Sequence, residues 1–121
     1  MLKTTCQDSA VSQTDSENAR PLPLPKAYLL AEVEVTDSAA YEKYTSAVVP
    51  IVAQYGGEYI VRGGQTASFE GETPKGRLVI IAFANMSAAQ AFLMSDEYRP
   101  IADIRHKNAV SRIMIVEGVI P

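Results

Sequence analysis

Apolar and polar residues alternate from Lys26 to Val35. Leu29, Ala31, Val33 and Val35 fall on one side, Tyr28, Leu30, Glu32 and Glu34 on the other. A period of two predicts a strand, and the mixed second side predicts a face that is covered, at least in part. Asp37 or Ser38 then stands where a helix cap belongs, and Tyr41, Tyr44, Val48, Ile51 or Val52, and Tyr55 follow at helical spacing. Pro50 falls inside this pattern and predicts a kink or break. Gly56 supplies a left-handed stop.

The stretch from Gln54 to Phe83, QYGGEYIVRGGQTASFEGETPKGRLVIIAF, organises the rest of the chain. A second strand is predicted from Glu58 to Arg62, with Ile60 and Arg62 on one face and Tyr59 and Val61 on the other. Gly63-Gly64 permits a bulge or bend, after which Thr66 to Glu70 can continue as an irregular strand. Gly71 to Gly76 reads as a loop. Arg77 to Phe83 is apolar on both sides, as a central strand is when both faces of its sheet are covered.

Ser87 and Gln90 form a capping-box pattern at the start of a second helix, with Ala88, Ala91 and Phe92 inward. Ser95 to Lys107 can begin a further short helix, interrupted by Pro100. Val110 to Val119 closes the domain as a last strand. The order β-α-β-β-α-β, with right-handed crossovers, predicts an α+β, ferredoxin-like antiparallel sheet with its helices on one face. The other face, partly apolar, calls for a partner. An isologous homodimer joined through the sheet faces is expected.

Residues 1–25 break the pattern: they are polar and aperiodic, then end in the proline run PLPLP. They are expected to form a flexible tail and spacer, leaving 26–121 as the folded domain. The 121-residue chain has a net charge of -3, 47% hydrophobic and 21% charged residues, which is a globular composition. Its mild acidity argues against nucleic acid or an anionic membrane as partner. A single cysteine, Cys6, excludes an internal disulfide and makes a reducing cytoplasm the expected compartment. One histidine and one remote cysteine give no zinc constellation. Neither a phosphate-binding loop nor a dinucleotide fingerprint is present, so no cofactor and no metal is expected.

Four side chains stand out chemically. Arg62, ending a strand at a glycine corner, can pair with Glu70 or Glu32 as architecture, or offer a planar fork to a carboxylate or enolate. Glu70 would serve as a general base if burial raised its pKa. His106 is the sole histidine and a candidate proton shuttle, or else an ordinary helix-end residue beside Arg105. Tyr98 offers a hydroxyl to a ligand or packs half-buried.

The segments YGGEYIVRGG, FEGETPKGRLVIIAF and SDEYRPIADIRHKNAVSRIMIVEGV resemble the family named domain of unknown function 1330, of the dimeric α/β-barrel superfamily. The resemblance covers roughly Ala27 to Val119. It implies family positions at Arg62, Gly63, Gly64, Glu70, Gly71, Arg77, Ser95, Tyr98 and Arg105, and so adds Arg77, Ser95 and Arg105 to the candidate ligand contacts. Relatives often carry an aromatic residue near Thr73 and an acidic one at Ala82, so a pocket using those groups would be altered. The superfamily hosts many chemistries, and the resemblance therefore implies the fold rather than an activity.

Two functions follow as alternatives. One is a cofactor-independent enzyme acting on a small anionic or carbonyl metabolite by proton transfer, isomerisation or oxygenation. The other is a non-catalytic dimer that binds a small ligand or serves an accessory role. Convergence of Arg62, Glu70, Tyr98 and His106 on one cavity would favour the enzyme.

Overall fold

The computed structural model describes residues 24–121, so the expected tail lies outside the described residues but for its last two positions. Strand β1 (Ala27–Val35) leads into helix α1 (Ser38–Gln54), then strands β2 (Glu58–Arg62) and β3 (Arg77–Phe83). Helices α2 (Met86–Met94) and α3 (Arg99–Asn108) precede the last strand, β4 (Ala109–Glu117). The four strands form one sheet in the order β2-β3-β1-β4, every pair antiparallel. This is the expected ferredoxin-like α+β arrangement, with α3 added before the last strand.

Alternation in β1 sorts the two faces. Ala27, Leu29, Ala31 and Val33 are buried against Tyr41, Val48 and Val52 of α1 and Phe92 of α2. The opposite face shows Leu30, Leu78 and Ile80 half-buried and Met114 and Val116 exposed. No helix among the described residues is long and apolar enough to cross a membrane.

Several local expectations are corrected. Helix α1 runs through Pro50 unbroken; the lost backbone bond falls at an exposed position, where water can serve the Ser46 carbonyl. Asp37 caps α1 by accepting from the Ala40 amide at 3.2 Å. The cap of α2 is Asn85, which accepts from the Ala88 amide at 2.9 Å, not the Ser87 box. Pro100 lies in the first turn of α3, where its missing amide is not needed, so it interrupts nothing. Thr66 to Glu70 is irregular rather than a strand.

In β2, Tyr59 pairs with Ile81, Val61 with Ile80 and Arg62 with Val79, so the register shifts between Tyr59 and Val61. Ile60 is the extra residue of a bulge. Strict alternation would place Arg62 opposite Tyr59. The bulge instead returns Arg62 to the helix-covered face that Tyr59 shares.

Candidate functional site

A cavity opens between the inner face of the sheet and the helices above it. It comprises about 530 Å³ of unfilled space, mouth included, of which about 50 Å³ admits the centre of a water molecule. Its floor is apolar, with Ala31, Val33, Val79 and Ile113. Tyr41 and Tyr44 of α1 look onto it, as do Tyr59 of β2 and Tyr98. Three arginines, Arg62, Arg77 and Arg105, complete the lining, and no Asp, Glu or His belongs to it among the described residues.

Each arginine is brought there by a separate local device. The bulge aims Arg62, whose guanidinium carbon lies 4.8 Å from the Tyr59 ring centroid. Arg77 opens β3 directly after Gly76, which has φ 83°. A side chain at Gly76 would collide with the Val33 carbonyl and the Glu34 backbone. That close approach fixes where β3 begins, and Arg77 pairs with Val33 across the sheet. Arg105 projects from α3 and is only 7% exposed. Its NH1 donates to the Ser111 hydroxyl, and its guanidinium carbon lies 5.9 Å from the Tyr44 ring centroid.

Electrostatics make these arginines unusual. Among the described residues, the ion pairs within 4.0 Å are His106 with Asp103 and Arg112 with Glu32, so none of the three cavity arginines has a carboxylate partner. The Nε atoms of Arg77 and Arg105 are buried and have no acceptor among the described residues. Buried donors are nearly always satisfied in folded proteins. A charged donor left without a partner is costlier still. Burial works against the Arg105 charge, and the neighbouring Tyr98 and Tyr44 oxygens more than offset it, so its pKa stays raised.

The Tyr44 and Tyr98 hydroxyls share a hydrogen bond of 2.9 Å. Burial, followed by the Tyr98 hydroxyl beside it, pushes the Tyr44 phenol far above its ordinary range. Burial likewise raises Tyr41 and Tyr59. At neutral pH Tyr41, Tyr44 and Tyr59 are therefore neutral hydrogen-bonding phenols.

Of the residues expected from the sequence, Arg62, Arg77, Tyr98 and Arg105 line this one cavity, and Glu70, Ser95 and His106 do not. Ser95 is buried, but its hydroxyl donates to the Phe92 carbonyl at 2.8 Å and accepts from the Tyr98 amide at 3.1 Å. It joins α2 to α3 and so positions Tyr98. Glu70 is exposed in the loop between β2 and β3. The His106 side chain is 60% exposed and lies 3.7 Å from Asp103, with its Nε2 3.4 Å from the Arg105 guanidinium.

Neither expected ion pair of Arg62 forms. Glu32 faces the other side of the sheet, where Arg112 Nε donates to it at 2.8 Å and the Lys75 amide at 3.2 Å. The Arg112 hydrogen bond, opposed by some desolvation, lowers the Glu32 pKa. Thr73 and Ala82, the two departures from the family pattern, lie outside the cavity lining. Helical spacing assigns Tyr41 and Tyr44 to packing and does not mark them as site residues. The available signal was that a tyrosine on a buried helix face needs a partner for its hydroxyl.

A family model described as "Domain of unknown function (DUF1330)" matches residues 26–119. No curated protein matches the chain. Solved structures share the fold. A protein of unknown function from Rhodopseudomonas palustris superposes with a TM-score of 0.65 at 18% identity, covering 80% of this chain and 85% of its own. A cofactor-independent oxygenase from Streptomyces nogalater superposes with a TM-score of 0.59 at 13% identity, covering 78% and 94%. At such identities the likeness is one of fold.

Proposed function

This chain belongs to the DUF1330 family, whose function is unknown, and within that family we propose that it binds a small organic anion in the cavity between sheet and helices. One observation carries the reading: three arginines line a largely apolar cavity that contains no acidic side chain among the described residues, although the whole chain is net negative. An apolar floor with a few convergent polar groups is how small-molecule sites are built. The guanidinium fork suits a carboxylate or enolate oxygen pair.

A second, catalytic reading rests on the Tyr44–Tyr98 hydroxyl pair beside Arg105. Hydroxyl donors and a fixed cation hold an oxyanion well, so the site would stabilise an enolate or phenolate once formed. Cofactor-independent oxygenation, as described for the Streptomyces nogalater protein, is one reaction an anion of that kind supports. General-base catalysis by Glu70 or His106 has no geometric support, since neither lines the cavity. The uncovered apolar sheet face supports a homodimer as the working form.

Calorimetry and thermal shift with benzoate against benzamide test the binding claim, because the pair differs chiefly in charge. Benzoate should bind and raise the melting temperature by mass action, and benzamide should not. Equal effects of both, or of neither, would overturn the anion reading.

A further inference from the structure

We infer that the ligand is a dianion, with one anionic group held by Arg62 and Arg77 and the other by Arg105 beside the Tyr44–Tyr98 pair. This rests on the anion-site reading and specifies its substrate class.

The two arginines with unanswered Nε–H groups are anchored on opposite sides of one strand. Arg77 pairs with Val33 from β3, and Ser111 pairs with the same Val33 from β4. Adjacent strands lie about 4.8 Å apart, which puts the Arg77 and Ser111 backbones roughly 10 Å apart across β1. Arg105 is tied to the Ser111 side through the Ser111 hydroxyl. Arg62 belongs to the Arg77 side: an added Cβ on Gly63, its neighbour in the chain, would lie 3.0 Å from the Arg77 guanidinium. Arg77 with Arg62, and Arg105, are therefore anchored on opposite sides of β1, whose Ala31 and Val33 form part of the apolar floor.

Charge points the same way. The cavity lining carries three formal positive charges, and among the described residues no carboxylate pairs with any of them. A monoanion would leave two uncompensated, at least one of them buried or half-buried. A dianion leaves one, which can be Arg62, the arginine that is exposed to water. Arg77 and Arg105 each keep a buried Nε–H with no acceptor among the described residues, so neither guanidinium is fully satisfied by the protein. A small dicarboxylate carries two negative charges, as does a carboxylate with an enolate or phenolate oxygen.

The test compares acids of matched body by calorimetry on the full chain: benzoate with isophthalate and terephthalate, and butyrate with succinate and glutarate. At least one dianion should bind about tenfold or more tightly than its monoanion, the effect of one added charge-assisted pair. Arg77→Met and Arg105→Met should each reduce that dianion to the level of the monoanion. Should a Met variant fail to fold, Arg77→Lys and Arg105→Lys keep the charge, remove the fork, and should still cut the advantage. Equal affinity for monoanions and dianions overturns the dianion assignment and leaves the single-anion site standing. An advantage that survives both substitutions overturns it as well. Failure of every acid to bind overturns this inference together with the reading beneath it.

Discussion

The guanidinium of Arg77 lies against the bare Cα of Gly63, so the loop that begins after Arg62 is closed at its base by the arginine that ends it. A Cβ at Gly63 would stand 3.0 Å from the Arg77 NH2 and 3.2 Å from its Nε. Gly63 also has φ 74°, a left-handed conformation that disfavours any side chain. Gly63→Ala should cost about 1 kcal/mol of stability and weaken anion binding by displacing Arg77. Gly76→Ala should behave differently: its Cβ would strike the Val33 carbonyl, which cannot move aside. Urea melts should show that variant losing several-fold more stability than Gly63→Ala. Similar losses in both would show that the loop base is not held as described.

Glu70→Gln and His106→Gln should leave anion affinity within about twofold of wild type, because both side chains lie outside the cavity lining. His106 has the longer reach, through its contact with Arg105. A tenfold loss in either variant would return that residue to the site.

The homodimer is tested at the outer face. Leu30 and Ile80 pair at its centre, with Met114, 55% exposed, across from Leu30. Light scattering after size exclusion should give twice the 13.1 kDa chain mass. Ile80→Glu should halve it by placing a charge in the contact. A wild-type monomer at micromolar concentration would contradict the assignment.

Stability should fall at high pH through the buried phenols. Tyr44 has a folded pKa raised above its ordinary 10.0, chiefly by burial. Its contribution is therefore full below pH 10 and is lost as pH rises further, because only the unfolded chain then releases the proton readily. Denaturant midpoints for Tyr44→Phe should decline less steeply above pH 10 than those of wild type. Parallel declines would mean that Tyr44 is freely solvated.

The sequence made the fold legible because its main patterns are local. Alternation in β1, the helical spacing from Tyr41 to Tyr55 and the apolar β3 each report one element, and together they leave few topologies. The site was less legible because two of its features are not local. Arg62 reaches the cavity only through the bulge at Ile60, and a strict period of two places it on the wrong face. Glu70 and His106 attracted attention as titratable residue types, which says nothing of their direction. The absence of a carboxylate beside Arg105 among the described residues depends on what α1, α3 and β4 bring together, and no spacing in the chain displays it.

Arg105 gives the most direct test of the central claim, that the cavity cations await an anion from outside the chain. The measurement is the unfolding free energy of Arg105→Met against wild type in urea, at low ionic strength and without ligand, alongside a titration of each with the dianion that wild type binds best. A buried cation without a counter-charge adds little to the fold, so the variant should stay within about 1 kcal/mol of wild type or exceed it while losing affinity for that dianion. A loss of about 3 kcal/mol or more with affinity preserved in the folded fraction would make Arg105 architecture and contradict the account.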